Sequence, residues 1–326
     1  MAEITLVEAI NQALAYEMQA DPDVILLGED IGKDGGVFRA TVGLLEKFGE
    51  ERVRDTPLAE SMIAGLAIGM AMQGLKPVAE FQFMGFTYPA LDQIINHAAR
   101  MRNRTRGRLS CPLVFRAPFG CGIHAPEHHS ESTEAIYAHI PGLRVVIPSS
   151  PQRAYGLLLS AIRDPDPVIF LEPARLYRWA KQEVPDDGKG LPLDRAFILQ
   201  SGEDVTLISW GAMIKETLSA AQKLKKDGIS VEIIDVATIK PLDKQTLLTS
   251  IEKTGRCIII HEAARTGGVG EHISAELAEQ ALFFLKAPII RLTGYDTIVP
   301  YAKLENYYLP KEQQIIDAVQ RVLEFA

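Results

Sequence analysis

Residues 55–74 read DTPLAESMIAGLAIGMAMQG. The stretch sets one carboxylate, Glu60, at the mouth of a helix that carries no further charge before Gly74. Asp55 and Thr56 are the expected caps of that helix, and Pro57 fits its first turn, where a missing N–H removes no hydrogen bond. A helix that is apolar on every side belongs in a core. Gly65 and Gly69 leave a narrow ridge for close approach by a neighbouring element, with Ala64, Ile68 and Ala71 packing around it. A lone acid at the end of such a helix needs a partner, because an unpaired buried carboxylate is costly. Two readings follow from the residues alone. Glu60 either complements the helix dipole, or exchanges a proton with a bound ligand.

On both sides of this helix, apolar strands alternate with amphipathic helices. Residues 5–20 read as a helix with Leu6, Ile10, Ala13 and Leu14 on one side, opened by a Thr5/Glu8 capping box. DPDVILLGED is a buried strand ending in two acids, and GKDGGVF at 32–38 is a glycine loop. A short helix near 41–48 leads to the strand ERVRDTP, and KPVAEFQF follows the Glu60 helix as another strand. Residues 85–104 read as one helix with Phe86, Leu91, Ile94, Ile95, Ala98 and Met101 inward. CPLVFRAPF, GLRVVIPSS and DPVIFLEP are further strands, the last two joined by a helix over 151–163. Continuous apolar strands between helices predict a parallel sheet covered on both faces.

Prolines, glycines and the acids Asp186 and Asp187 interrupt the pattern from about residue 173 to 203, marking a connection between domains. The alternation then restarts with VTLISW, VEIIDV, CIIIHE and PIIRLT, separated by helices to Asp227, near 243–254 and near 269–285, and closed by a helix over 311–325. The expected organisation is an α/β domain over 1–185, a linker over 186–202 and a smaller α/β domain over 203–326, each a doubly wound sheet.

The chain has 326 residues, 47% of them hydrophobic and 23% charged, which is ordinary for a globular protein. A net charge of −8 argues against nucleic acid as the main partner. The basic run Arg100, Arg102, Arg104, Arg106 and Arg108 is then a solvated or partner-facing surface. No apolar run is long enough for a membrane span, and MAEITLVEAINQAL lacks the basic start and apolar core of a signal peptide. Cys111, Cys121 and Cys257 are far apart and form no CxxC, which fits a reducing cytoplasm without a zinc site.

Three motifs compete for chemistry. GGVGEHI at 267–273 suggests a phosphate cradle, but Ile273 stands where a last glycine would complete the spacing, so a tight strand-to-helix turn is the better reading. PFGCGIHAPEHHSES at 118–132 holds His124, His128 and His129 with Glu127 and Glu131. No helical HExxH is present, so proton transfer at a site rim fits better than zinc, with plain surface histidines as the alternative. Asp164 and Asp166 in AIRDPDPV suit either a hard cation or a simple turn.

Taken together, LLGEDIGKDGGVFRAT, RVRDTPLAES, GIHAPEHHSES, PGLRVVIPSSP, SAIRDPDPVIFLEP and EKTGRCIIIHEA resemble, in order and along nearly the whole chain, the beta subunit of the thiamine-diphosphate-dependent E1 component of 2-oxo acid dehydrogenase complexes. The resemblance implies a pyrimidine-binding domain followed by a transketolase C-terminal-like domain. It makes Glu60 the cofactor-activating glutamate, hydrogen-bonded to N1′ of the aminopyrimidine ring. Leu58 and Phe86 become contacts to that ring, Phe86 by stacking. His129 becomes a proton-transfer group at the substrate end, with His124 and His128 weaker candidates. Leu113, Ala161, Ile162, Asp164 and Asp166 match positions whose oxygens hold a potassium ion in related proteins, although Asp166 stands where some relatives carry Asn.

Such enzymes hold the diphosphate through Mg²⁺ with a GDG segment and, further on, paired asparagines; the chain has neither. The resemblance therefore implies an alpha subunit that supplies the diphosphate and Mg²⁺ half, an alpha2beta2 heterotetramer, and docking to an E2 dihydrolipoyl acyltransferase. YAKLE at 301–305 favours pyruvate as the 2-oxo acid, with branched-chain 2-oxo acids and acetoin as alternatives. A docking subunit without catalytic residues is the rival from another class. The loop 119–132 is expected to lack fixed structure until the alpha partner binds.

Overall fold

Parallel strands form where the sequence carries its continuous apolar runs. The computed structural model describes residues 3–325; the ends of the expected domain spans, at residues 1, 2 and 326, lie outside the described residues. The chain divides into two compact units. One holds the chain up to Phe119 with Ile136–Leu193, and the other holds Gly120–Ala135 with the chain from Asp194.

In the first unit the strands stand in the order Arg144–Val146, Val168–Pro173, Val114–Phe119, Lys76–Glu80, Val24–Gly28 and Val53–Asp55, every one of these pairings parallel. Glu3–Thr5 and Lys181–Glu183 form a separate antiparallel ribbon. The helix Leu6–Ala20 opens with the Thr5/Glu8 capping box and packs on Pro151–Arg163, whose N-cap is Ser150. Leu6, Ile10, Ala13 and Leu14 are fully buried, and each large apolar side chain so buried contributes about 1.5–3 kcal/mol.

Two expectations change here. The single helix over 85–104 is broken into Met84–Ala90, Leu91–Asn96, Ala98–Arg100 and Met101–Arg104, the first and third being 3₁₀-helix of seven and three residues. Pro89 lies within the first piece, where it cannot donate to a regular helical ladder. The Glu60–Met72 helix is also not wholly buried. Ile63, Ala64, Ala67, Ile68 and Ala71 face the core, while Met62, Leu66, Gly69 and Met72 are exposed. The sheet covers one side only, so a helix with no polar face presents apolar side chains to solvent on the other.

A buried charge network crosses this sheet. Arg116 is 2% exposed. Its Nε and Nη2 donate to the two carboxylate oxygens of Glu172 at 2.7 and 2.9 Å, and its Nη1 donates to Glu80. Tyr177 adds an O–H donated to Glu172 at 2.6 Å. Burial raises the Glu80 carboxyl despite the guanidinium beside it. Burial also works against the Arg116 charge, but Glu172 and Glu80 hold it well above its ordinary value.

In the second unit the strand order is Ile290–Leu292, Cys257–Ile260, Val205–Ser209, Val231–Asp235 and Phe197–Gln200. The last pairs antiparallel and the others parallel. Phe197–Gln200 lies inside the segment read as a linker, 186–202, so part of that segment is an edge strand. Its residues are only partly buried, so they lack the continuous apolar run that marks the other strands. Helices Ile214–Lys226, Lys244–Thr254, Val269–Ala281 and Glu312–Leu323 accompany the sheet. Fully buried Glu134 accepts a hydrogen bond from Trp210 Nε1 at 3.2 Å. Burial first, and the charge of Glu262 as a lesser cause, raise the Glu134 carboxyl from 4.5 to about 8.

Two measurements check these networks. Arg116→Met leaves two carboxylates facing each other in the dark of the sheet and should lower stability to urea by about 3–5 kcal/mol. For Glu134, the folded chain between pH 4.5 and about 8 keeps a proton that the unfolded chain releases, so stability falls as the pH rises through that window. Glu134→Gln should flatten the fall, read as thermal midpoints from pH 5 to 8.

Candidate functional site

Open parallel sheets present ligands to the carboxyl ends of their strands, and in the first unit the acids collect there. Glu29 follows Val24–Gly28, Asp55 ends Val53–Asp55, and Glu60 is the first residue of its helix and half-buried. Asp55 and Thr56, the expected caps, do not cap that helix. Its N-cap is Ala59, with no side-chain hydrogen bond. The strand continues through Asp55, and the helix begins only after Pro57 and Leu58. The Asp55 carboxylate accepts the backbone N–H groups of Gly32 and Lys33 at 2.6 and 3.1 Å, so it caps the glycine loop instead. Thr56 donates its N–H to the Gly28 carbonyl at 2.9 Å. Glu29 is held above the ordinary carboxylate range, first by burial and then by Asp30 and Glu60. An acid raised in this way is able to hold and pass a proton. Glu29 escaped the sequence reading as a site residue; its signal was an acid directly after a buried apolar strand.

Leu58 is 71% exposed beside this helix start. Phe86 lies in the Met84–Ala90 turn, which Ser61 ties to the first helical turn by donating its hydroxyl to the Pro89 carbonyl at 2.6 Å. Leu58, Glu60 and Phe86 are thus brought to one end of the first unit. The Phe86 ring packs edge-on to Phe83 at 5.4 Å between centroids, Phe83 edge-on to Phe38 at 5.6 Å, and Phe38 against Tyr177 at 4.9 Å. The aromatic row ends on the buried Arg116 network.

The histidine loop belongs to the second unit, and it is not loose. Gly120 donates its N–H to the Glu131 carbonyl at 2.9 Å, and His129 and Ser130 donate theirs to Pro126 and Glu127 at 3.0 Å. Two buried carboxylates anchor its start. Glu262 accepts the Cys121 N–H at 3.1 Å, and Glu305 accepts the N–H groups of Gly122 and His124. Within the chain these bonds pin the loop at both ends. His124 is exposed in a left-handed conformation, φ 61°, with Nδ1 2.9 Å from Glu305 Oε2. His128 is exposed and His129 half-buried in the turn Glu127–His129. Neither Glu262 nor Glu305 was legible as a loop anchor, because each lies more than a hundred residues from its partner.

The remaining motifs resolve differently. Glycines 268 and 270 of the 267–273 turn lie against buried His261: a Cβ on Gly270 would sit 2.6 Å from its Nε2. The turn is glycine-rich because a ring fills the space beneath it. His261 stacks on Trp210 at 5.0 Å, and burial lowers its imidazole from 6.5 to about 4. All three cysteines are buried and form no disulfide, and burial lifts the Cys111 thiol to about 12. No cluster of three or more His, Cys, Asp or Glu residues suited to a metal occurs among the described residues. Asp164 caps the C-terminus of Pro151–Arg163, where Ala161 and Ile162 contribute last-turn carbonyls. The Asp164 and Asp166 carboxylates pair with Arg144 and Arg102 at 2.9 and 2.7 Å. The Leu113 carbonyl accepts the Val168 N–H at 3.0 Å. Backbone oxygens, rather than these side chains, are what the segment offers a cation.

Known proteins resemble this chain in sequence and fold. The model for the transketolase pyrimidine binding domain matches residues 2–180, and that for the transketolase C-terminal domain matches residues 194–315. A pyruvate dehydrogenase E1 component subunit beta of Staphylococcus epidermidis is 50% identical, and one of Bacillus subtilis 47%, each over 100% of both chains. A solved structure described as a split gene transketolase, inactive beta4 tetramer, superposes with a TM-score of 0.81 at 24% identity, covering 99% of each chain, and shares the fold. With both domain types matched in order and the identity running from end to end, the chain belongs to the family of pyruvate dehydrogenase E1 component beta subunits.

Proposed function

We propose that this chain supplies the pyrimidine side of a thiamine diphosphate site and, with an alpha subunit, decarboxylates pyruvate and passes the acetyl group to the lipoyl group of an E2 acyltransferase. When bound, thiamine diphosphate supplies the carbon nucleophile and the electron sink for decarboxylation. The observation that carries the reading is the Glu60 carboxyl at the first turn of an uncharged helix, beside Glu29, at the carboxyl end of a parallel sheet. Glu60 exchanges a proton with N1′ of the aminopyrimidine. Leu58 offers that ring an apolar contact and Phe86 a stacking face, its angle braced by Phe83. His129 moves a proton at the substrate end of the reaction.

The partner follows from what the chain lacks and what it exposes. It has no GDG segment with paired asparagines to hold Mg²⁺ and the diphosphate. The uncovered face of the Glu60–Met72 helix, with Met62, Leu66 and Met72 in line and open space above Gly69, fits the alpha subunit. Four chains, alpha2beta2, make the working enzyme. Potassium at the carbonyl oxygens of Leu113, Ala161 and Ile162, with Asp164 and Asp166 closing the turn, belongs to the same reading. The carbonyls of the last helical turn keep lone pairs that suit a monovalent cation, the Ala161 oxygen also accepting the Asp164 N–H at 3.4 Å.

Glu60→Gln tests the reading in the assembled enzyme. Turnover of pyruvate should fall by about 10²–10⁴-fold with assembly and thermal stability intact; an active variant would leave only the docking role. The parent enzyme should turn over pyruvate faster than 2-oxoisovalerate or acetoin, and the reverse order would reassign the substrate.

A further inference from the structure

The described surface and interior outside the Glu60 region hold one arrangement that the proposed chemistry has not used: the grip on the histidine loop. Glu305 is fully buried, in the short helix Ala302–Tyr308. One carboxylate oxygen accepts the Gly122 N–H, and the other accepts the His124 N–H at 3.0 Å and lies 2.9 Å from His124 Nδ1. The residue just before this helix, Tyr301, faces Glu127 of the loop, whose carboxylate holds the phenol above its ordinary value. Glu262 makes a second hold at Cys121. From there the chain turns once through Pro126, whose carbonyl accepts the His129 N–H.

We infer that Glu305 is a positioning residue that sets the place of His129 by clamping the Gly122 and His124 amides of its loop. The inference rests on the reading of His129 as a proton-transfer group. Three donors on one carboxylate explain why an acid is buried there. A carboxylate accepts with both oxygens and has no proton to set against an N–H, whereas an amide turns one of its two ends into a donor. The left-handed His124, with φ 61°, is a conformation that a β-carbon disfavours, and the clamp holds it from two sides at once. The same helix delivers Tyr301 and Glu305 to the loop, so the segment 301–305 sets the loop's shape and not only the chain's surface.

The test is a double-mutant cycle in the assembled enzyme with thiamine diphosphate bound. E305Q should lower kcat by about 10–100-fold, the scale of a misplaced reacting group, with the cofactor concentration for half-maximal rate unchanged. H129A should be slower still, and E305Q/H129A no slower than H129A alone, because the two act as one unit. Hydrogen exchange of the peptide 119–132, followed by mass spectrometry, should quicken in E305Q. Exchange as slow as in the parent would overturn the clamp. Faster exchange with unchanged kcat, or multiplying effects in the double variant, would overturn its link to His129. H129A as fast as the parent would remove the histidine's role and the inference together, while the exchange result would still report on the clamp by itself. If E305Q fails to fold, Glu305→Asp, which keeps the charge but shortens its reach to the Gly122 and His124 amides, carries the same expectations.

Discussion

A guanidinium sealed inside a parallel sheet is the constraint on which the first unit depends. Arg116 and Glu80 stand directly opposite each other on neighbouring strands, and Glu172 reaches Arg116 from the strand on its other side. A slip of one residue in any of these pairings would turn a charge to the opposite face of the sheet, away from its partners. Desolvating three charges is expensive, so the network adds little stability over apolar packing; what it does is make one register far better than the next. The glycine loop rests on the same network. A Cβ on Gly36, where φ is +77°, would lie 2.8 Å from Glu80 Oε1. Through Tyr177, Phe38 and Phe83 the network also braces the ring of Phe86.

The second unit solves a related problem with backbone donors. Its histidine loop sends the N–H groups of Cys121, Gly122 and His124 to side chains and not to its own carbonyls, and buried polar groups left unpaired are costly. Glu262 and Glu305 accept all three from below. Buried carboxylates thus serve the two units differently. In the sheet they balance a cation, and in the loop they replace the turns that a glycine-rich sequence does not make for itself. Glu134 stands apart from both uses, since burial first, with Glu262 as a lesser cause, holds its carboxyl up at about 8.

Much of this was legible in the residues. Continuous apolar runs such as DPVIFLEP announced the parallel strands, because a strand covered on both faces has no reason to alternate. Thr5 and Glu8 announced the first helix by a local bond that needs no tertiary help. Glu60 and Phe86 were singled out by the company they keep in sequence, and their roles rest on the proposed function. What stayed hidden depends on contacts between distant segments. Asp55 looked like a helix cap and caps a loop over twenty residues earlier, because a short polar side chain serves whichever N–H groups the fold brings to it. Glu305 sat in a segment noticed only for its resemblance, since its partners lie 183 and 181 residues away. The unburied side of the Glu60–Met72 helix was invisible for the opposite reason. A helix apolar all round reads the same whether its second face meets its own chain or another.

That second face bears on how cells must make the protein. Met62, Leu66 and Met72, with Leu58 just ahead of them, form a sticky strip on any copy that has not found company. Surplus chains would meet one another through it and clump or be degraded. With the alpha partner proposed above, matched production of the two polypeptides, at equal dose, is the condition under which such a surface does no harm.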